Sequence, residues 1–203
     1  MGTLTKEELS KFMEQLFMEV YHSNSKIELY MYMSNKFVDY PEVGNIAPSF
    51  FELTRDSLSN EFGLRIAKLF DSNGYGTLYK LLNLIGANVD LFPADKKKLI
   101  LSTVSAHSKI LKEDNAQLLK NLRTWRDKLL AHWDKNYFFN VDRTKLGEDA
   151  PMLYGELLTL LKSSTNIINF YAELLDKTHY LLETDQIKKD FDILFNALLM
   201  RKN

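Results

Sequence analysis

The chain contains no cysteine, which removes a thiol nucleophile, a thiolate zinc site and any disulfide at once and fits a reducing compartment. Only 4 prolines and 8 glycines interrupt 203 residues, sparse punctuation of the kind found in helix-rich chains. Neither sign of charge dominates. The 26 Lys and Arg against 27 Asp and Glu leave a net charge of −1 and a pI near 6.4, so no global basic field draws the protein to nucleic acid or to an anionic membrane, and any nucleic-acid contact has to be local. No apolar run approaches the roughly 18 residues of a membrane span, and the opening MGTLTKEELSKF lacks the apolar stretch of a secretory signal. A cytoplasmic protein with no membrane partner is the expectation. What is present, 45 % hydrophobic and 26 % charged residues, is globular composition, and the length favours a single domain over residues 1–203.

Apolar periodicity places helices along nearly the whole chain. Thr5 and Glu8 form a T-x-x-E capping box ahead of Leu9, Phe12, Met13, Leu16, Phe17 and Val20, which recur at three- and four-residue spacing. Residues 25–35 carry Ile27, Leu29, Tyr30, Met31 and Met33; helix is preferred there, although the period alone also admits an alternating strand. The stretch 37–47 reads as a loop, and Pro48 opens a helix with a wide apolar face that ends near Asp71, where DSNGYG breaks it. Short and long helices follow over 78–85 and from Pro93 to Ile110, with KEDNAQ as a junction, and then through Leu118, Leu122, Trp125, Leu129 and Trp133. Residues 136–149 look irregular; Pro151 begins a long helix through Leu175, and 185–201 form the last. No strand pair or repeat is visible. The fold class is all-α, a bundle of about six to eight helices.

Familiar catalytic signatures are missing. There is no phosphate-binding G-x-x-x-x-G-K-[ST], no G-x-G-x-x-G and no G-x-S-x-G, and the glycines of DSNGYGTL are followed by no lysine. His22, His107, His132 and His179 are dispersed and carry no metal-ligand spacing, so neither a metal nor another cofactor is expected. One segment concentrates chemistry: NLRTWRDKLLAHWDKN, 121–136, with two arginines, two lysines, two tryptophans, two aspartates and a histidine. At about 100° per residue, Leu118, Leu122, Trp125, Leu129 and Trp133 line a core stripe, and Arg126 and His132 fall on its two shoulders. They lie roughly 120° apart on an ideal helix, so one straight helix does not force them together. Shoulder positions suit polar groups half-buried at a cleft or an interface.

The run Arg126-Asp127-Lys128-Leu129-Leu130-Ala131-His132 resembles the signature of the HEPN superfamily (higher eukaryotes and prokaryotes nucleotide-binding), in which an arginine, usually followed by a polar residue, precedes a histidine by a few positions on a late helix. Five residues intervene here. The wider phrase RDKLLAHWDK, and the LRIAKLFD end of an earlier helix followed by a short one, are similar to the U-type abortive-infection (AbiU2-like) branch, whose chains are also about this long and all-α. The resemblance implies a HEPN-like bundle acting as a metal-independent endoribonuclease of phage defence or of a toxin–antitoxin pair. It implies RNA as substrate, a homodimer with two motifs facing one cleft, and a possible antitoxin protein as a further partner. On that reading His132 exchanges the proton and Arg126 stabilises the scissile phosphate. Asp127 and Asp134 orient them, and Arg123, Lys128 and Lys135 bind neighbouring phosphates, while Trp133 stacks a base.

The same residues have plainer readings. Arg126 can pair with a nearby carboxylate, and His132 can cap a helix C-terminus. Trp125 and Trp133 suit core packing, Asp127 suits either a surface charge or the site, and Lys96, Lys97 and Lys98 suit a solvated face. Arg65 and Asp71 could approach the motif helix, with a structural ion pair the more economical role. A HEPN-like module that binds nucleotide, RNA or a partner protein without cleaving is the competing function.

Overall fold

A computed structural model describes residues 4–130 and 144–200. Among them it forms nine α-helices and no strand: α1 (Lys6–Asp39), α2 (Pro41–Gly44), α3 (Pro48–Leu69), α4 (Leu78–Ala87), α5 (Lys97–Lys109), α6 (Ala116–Trp125), α7 (Thr144–Asp149), α8 (Tyr154–Asp176) and α9 (Asp185–Met200). Two segments wind more widely, as π-helix: Ile110–Asp114 after α5 and Arg126–Leu130 after α6. No described helix is long and apolar enough to cross a membrane.

The capping box forms as expected: Thr5 N donates to Glu8 at 2.8 Å and Glu8 N donates to the Thr5 hydroxyl at 3.1 Å. The ambiguous stretch 25–35 continues the first helix without a break, making α1 34 residues long, or about 51 Å. Tertiary burial decides this point, because Ile27 (0 % exposed) and Met33 (3 %) extend the line of Leu9, Met13, Leu16 and Val20 down one side. The loop expected at 37–47 is shorter than its composition suggests, since α1 runs to Asp39 and Pro41 starts the single turn α2. Part of 136–149 is likewise helical, as α7, and α8 begins three residues beyond Pro151. These single turns account for a helix number above the six to eight expected.

Helix α1 packs against α3 and α8 and touches α2, α4 and α9. Its first two-thirds line the main core with Ile66 and Leu69 of α3, Leu78, Leu81 and Ile85 of α4, Ile100 of α5 and Leu161, Ile168 and Tyr171 of α8. Its last third enters a second cluster with Val43, Phe51, Phe191 and Phe195. Three polar contacts set the register of α9 on α1: Tyr32 to Asp192 (2.7 Å), Lys36 to Asp192 (3.1 Å) and Lys188 to Glu28 (2.6 Å).

One histidine is drawn into this packing. Nδ1 of His107 on α5 lies 3.0 Å from the hydroxyl of Tyr171, which is fully buried on α8, and the imidazole meets the Phe170 ring edge-on at 5.7 Å. Burial lowers the His107 pKa below its ordinary 6.5 and pushes the Tyr171 phenol well up. The unfolded chain therefore takes up a proton that the native state resists. The stability contributed by neutral His107 is complete above the ordinary pKa and is lost as pH falls through the lowered native value. Denaturant midpoints measured between about pH 7.5 and 5 are expected to drop more steeply for the wild type than for His107→Gln; parallel curves would refute a neutral, buried imidazole.

Candidate active site

The motif begins where α6 ends. Leu119 and Leu122 bury one face of α6, and polar contacts hold its side: Asn121 Nδ2 donates to the Pro151 carbonyl and Trp125 Nε1 to that of Ala150, both at 2.7 Å. Trp125 is thus a packing residue tied to the approach to α8. From Arg126 onward the chain winds as π-helix and packs against α3. A π-turn inserts an extra residue per turn and is a frequent feature of functional sites. The helical wheel drawn at 100° per residue consequently does not extend past Trp125. His132, Trp133, Asp134 and Lys135 lie outside the described residues, as does the side chain of Leu129.

Arg126 is half-buried, its side chain 24 % exposed, and two carboxylates hold it. Nε donates to Asp127 Oδ1 at 2.6 Å and Nη1 to Asp71 Oδ2 at 3.1 Å. The hydrogen bond with Asp127, ahead of the opposing effect of burial, raises the guanidinium pKa further, and Asp71 adds to it. Arg126 is therefore a permanent cation whose plane is set by two anchors, and Nη2 meets no acceptor among the described residues. The local charge of these three groups is net negative, so the guanidinium offers directed N–H donors rather than a strong positive field.

Asp71 reaches this position because the loop after α3 is tightly wound. Its Oδ1 accepts the Asn73 amide at 3.0 Å, closing an Asx turn and leaving Oδ2 for Arg126. Thr77 then caps α4 by accepting the Lys80 amide at 3.1 Å, and its hydroxyl donates to the Gly74 carbonyl. A Cβ on Gly74 would stand 2.7 Å from Thr77 Cγ2, so this close approach requires glycine. Sequence pattern suggested Asp71 as a neighbour of the motif; what it could not show is that one carboxylate serves both turn and arginine.

The remaining predicted residues divide. Arg123 is exposed on the last turn of α6, near enough to Tyr79 of α4 for its charge to act on the phenol. Lys128 lies in the π-turn and is half-buried. Arg65 does not join Arg126; it pairs with Glu19 at 2.7 Å and Glu61 at 2.9 Å. Lys96 and Lys97 pair with Asp95 and Asp90, and His179 pairs with Glu173. No group of three or more metal-ligating side chains occurs among the described residues. A cavity of about 510 Å³ beside Phe12, Gln15 and Tyr75 is lined by none of the motif residues.

The Arg126–Asp71 pair is partly solvated, so its coupling is modest, about 0.5–1 kcal/mol. Unfolding of Asp71→Ala, Arg126→Ala and the double variant should return that coupling in a double-mutant cycle; additive losses would show that the pair does not hold the loop to the motif.

Comparison with known proteins places the chain in a family. The model described as HEPN_AbiU2, AbiU2, matches residues 6–191. No curated protein and no solved structure matches the chain. The match runs from the start of α1 through α8 and into the first part of α9, and the chain belongs to the AbiU2 family of HEPN proteins.

Proposed function

We propose, from this membership, that the protein is a metal-independent endoribonuclease of the phage-defence or toxin–antitoxin type, with Arg126 and His132 as its catalytic residues. The observation that carries the reading is the Arg126 guanidinium. It is half-buried at the head of a π-turn and oriented by Asp71 and Asp127, and Nη2 meets no acceptor among the described residues. A positioned planar donor of this kind suits an oxygen of a phosphate that gains charge in the transition state.

The chemistry needs no group beyond those of RNA and the two side chains. The ribose 2′-oxygen attacks the adjacent phosphorus, His132 takes the 2′-hydroxyl proton, and Arg126 stabilises the charge on the pentacoordinate phosphorane. The bond to the 5′-oxygen breaks, and that oxygen receives a proton from an imidazolium: that of the same residue or that of His132 in a second copy, if two motifs share a cleft. Products are a 2′,3′-cyclic phosphate and a 5′-hydroxyl. Asp127 keeps Arg126 in plane, while Asp134 serves His132. Arg123, Lys128 and Lys135 bind flanking phosphates, and Trp133 offers a stacking face. A homodimer and a protein antitoxin complete the proposal.

A non-catalytic module that binds nucleotide, RNA or a partner protein is the second reading, and one observation favours it: two carboxylates already engage Arg126, as they would engage a purely structural arginine. Incubation of labelled RNA with purified protein in EDTA separates the two. Cleavage yielding 2′,3′-cyclic phosphate ends is expected from the wild type, falling about 10²-fold or more in His132→Ala and in Arg126→Ala with the fold intact. Binding without cleavage by the wild type would establish the module instead, and cleavage surviving in both variants would remove the assigned site.

A further inference from the structure

A second polar concavity adjoins the Arg126 anchor. It has a volume of about 220 Å³ and is lined by Ser72, Tyr79, Leu82, Asn83, Ser108 and Lys112. Ser72 directly follows Asp71, so the wall of this pocket and the clamp on Arg126 are consecutive residues of one loop. The lining contains two aliphatic hydroxyls, a carboxamide, an ammonium and a phenol, and no carboxylate.

The hydrogen-bonding pattern shows which groups are committed. Tyr79 donates its hydroxyl to the Leu111 carbonyl at 3.0 Å, satisfying an acceptor in the wide turn Ile110–Asp114 and pinning that turn to α4. The turn in turn carries Lys112. Serines inside helices commonly donate back to a carbonyl of the preceding turn, and Ser102 and Ser105 of α5 do so, to Leu99 and Leu101. Ser108, on the same helix, does not: among the described residues its hydroxyl has no partner, and neither do the side chains of Ser72, Asn83 and Lys112. Four side chains able to donate hydrogen bonds, one each from the loop after α3, α4, α5 and the wide turn, therefore line one hollow, Ser108 half-buried and the other three open to solvent, without a partner among the described residues. Arg123 stands close by, near Tyr79.

We infer that this pocket is an oxyanion subsite that receives a phosphoryl group, held by Lys112 with the hydroxyls of Ser72 and Ser108 and the amide of Asn83. Hydroxyl and amide donors around a compact ammonium match the acceptor-only surface of a phosphate. A carboxylate in the lining would oppose it, and none is there. The phosphoryl group can belong to an internal linkage of an RNA strand lying across Arg126, or to a strand's 5′ terminus. The first source rests on the ribonuclease reading above; the pocket's affinity for phosphate does not.

The test is binding of oligoribonucleotides made uncleavable by 2′-O-methylation, with 5′-hydroxyl and 5′-phosphate forms compared over a range of salt. Lys112→Ala and Ser108→Asp, the latter placing an anion in the hollow, are set beside Lys162→Ala, an exposed lysine outside the lining. Thermal melts verify folding. Lys112→Ala is expected to weaken binding by about 3- to 10-fold and to reduce the salt slope by about 0.7, the value of one phosphate contact on a single strand. Ser108→Asp weakens it at least as much, and Lys162→Ala changes it by less than about twofold. Equal losses for both oligonucleotides identify an internal phosphate, and a loss confined to the 5′-phosphorylated form identifies a terminal one. Unchanged affinity and slope in both pocket variants would overturn the subsite. Because the oligonucleotides cannot be cut, failure of the ribonuclease reading appears separately, as intact unmodified RNA with the wild type.

Discussion

Helix α1 must bury an apolar line longer than any single core can cover, and the rest of the bundle is arranged around that requirement. The line runs from Leu9 through Val20 and Ile27 to Met33, each nearly inaccessible. A helix of about 51 Å outreaches the cluster formed by α3, α4, α5 and α8, so its far end needs other partners. These come from Val43, Phe51, Phe191 and Phe195. Burial of a Leu- or Ile-sized side chain is worth about 1.5–3 kcal/mol, so neither cluster is dispensable. The ion pairs and the Tyr32–Asp192 hydrogen bond then add register, which a smooth apolar contact between α1 and α9 does not specify by itself.

The motif is placed by a similar division of labour on a smaller scale. Asp71 has two oxygens and uses them differently, one to close its own turn and one to hold Arg126. The shape of the loop after α3 is thereby linked to the orientation of the arginine after α6, across 55 residues of chain. Two π-turns contribute in the same region. Each widens a helix locally and leaves backbone groups out of the usual pattern; at Ile110–Asp114, Tyr79 and Asn115 supply the missing partners, and at Arg126–Leu130 the widened turn lies against α3. Such turns disturb regular hydrogen bonding and are retained where a side chain has to be re-aimed.

Much of the fold was legible because helix formation here follows from local rules. The Thr5 and Glu8 capping box, Pro48 at a helix start, the DSNGYG break and the three- and four-residue recurrence of apolar residues each correspond to an element within a few positions. Legibility failed where local rules compete. Pro41, Gly44 and Asn45 suggested a loop, yet the turn α2 forms because Val43 is fully buried in the second cluster. Residues 25–35 fitted two periods until Ile27 and Met33 found partners on α1's buried side. The candidate site was legible in part: Arg126 and Asp127 stand out in one short run, and Asp71 was visible as a neighbour. Ser72, Asn83, Ser108 and Lys112 carried no signal at all, since they come from unrelated stretches and share no spacing.

The sequence by itself determined the helices, their caps and breaks, the absence of thiol chemistry and a motif specific enough to point to the HEPN fold, since all of these depend on residues close together in the chain. Tertiary structure alone decided which carboxylates hold Arg126, that the motif helix widens at Arg126, and which donors are without a partner among the described residues. A one-residue change of winding re-aims every side chain that follows, and an unpaired donor is defined by what the other helices fail to bring. Neither property can be read from spacing along one chain, because both are set by packing between elements distant in sequence.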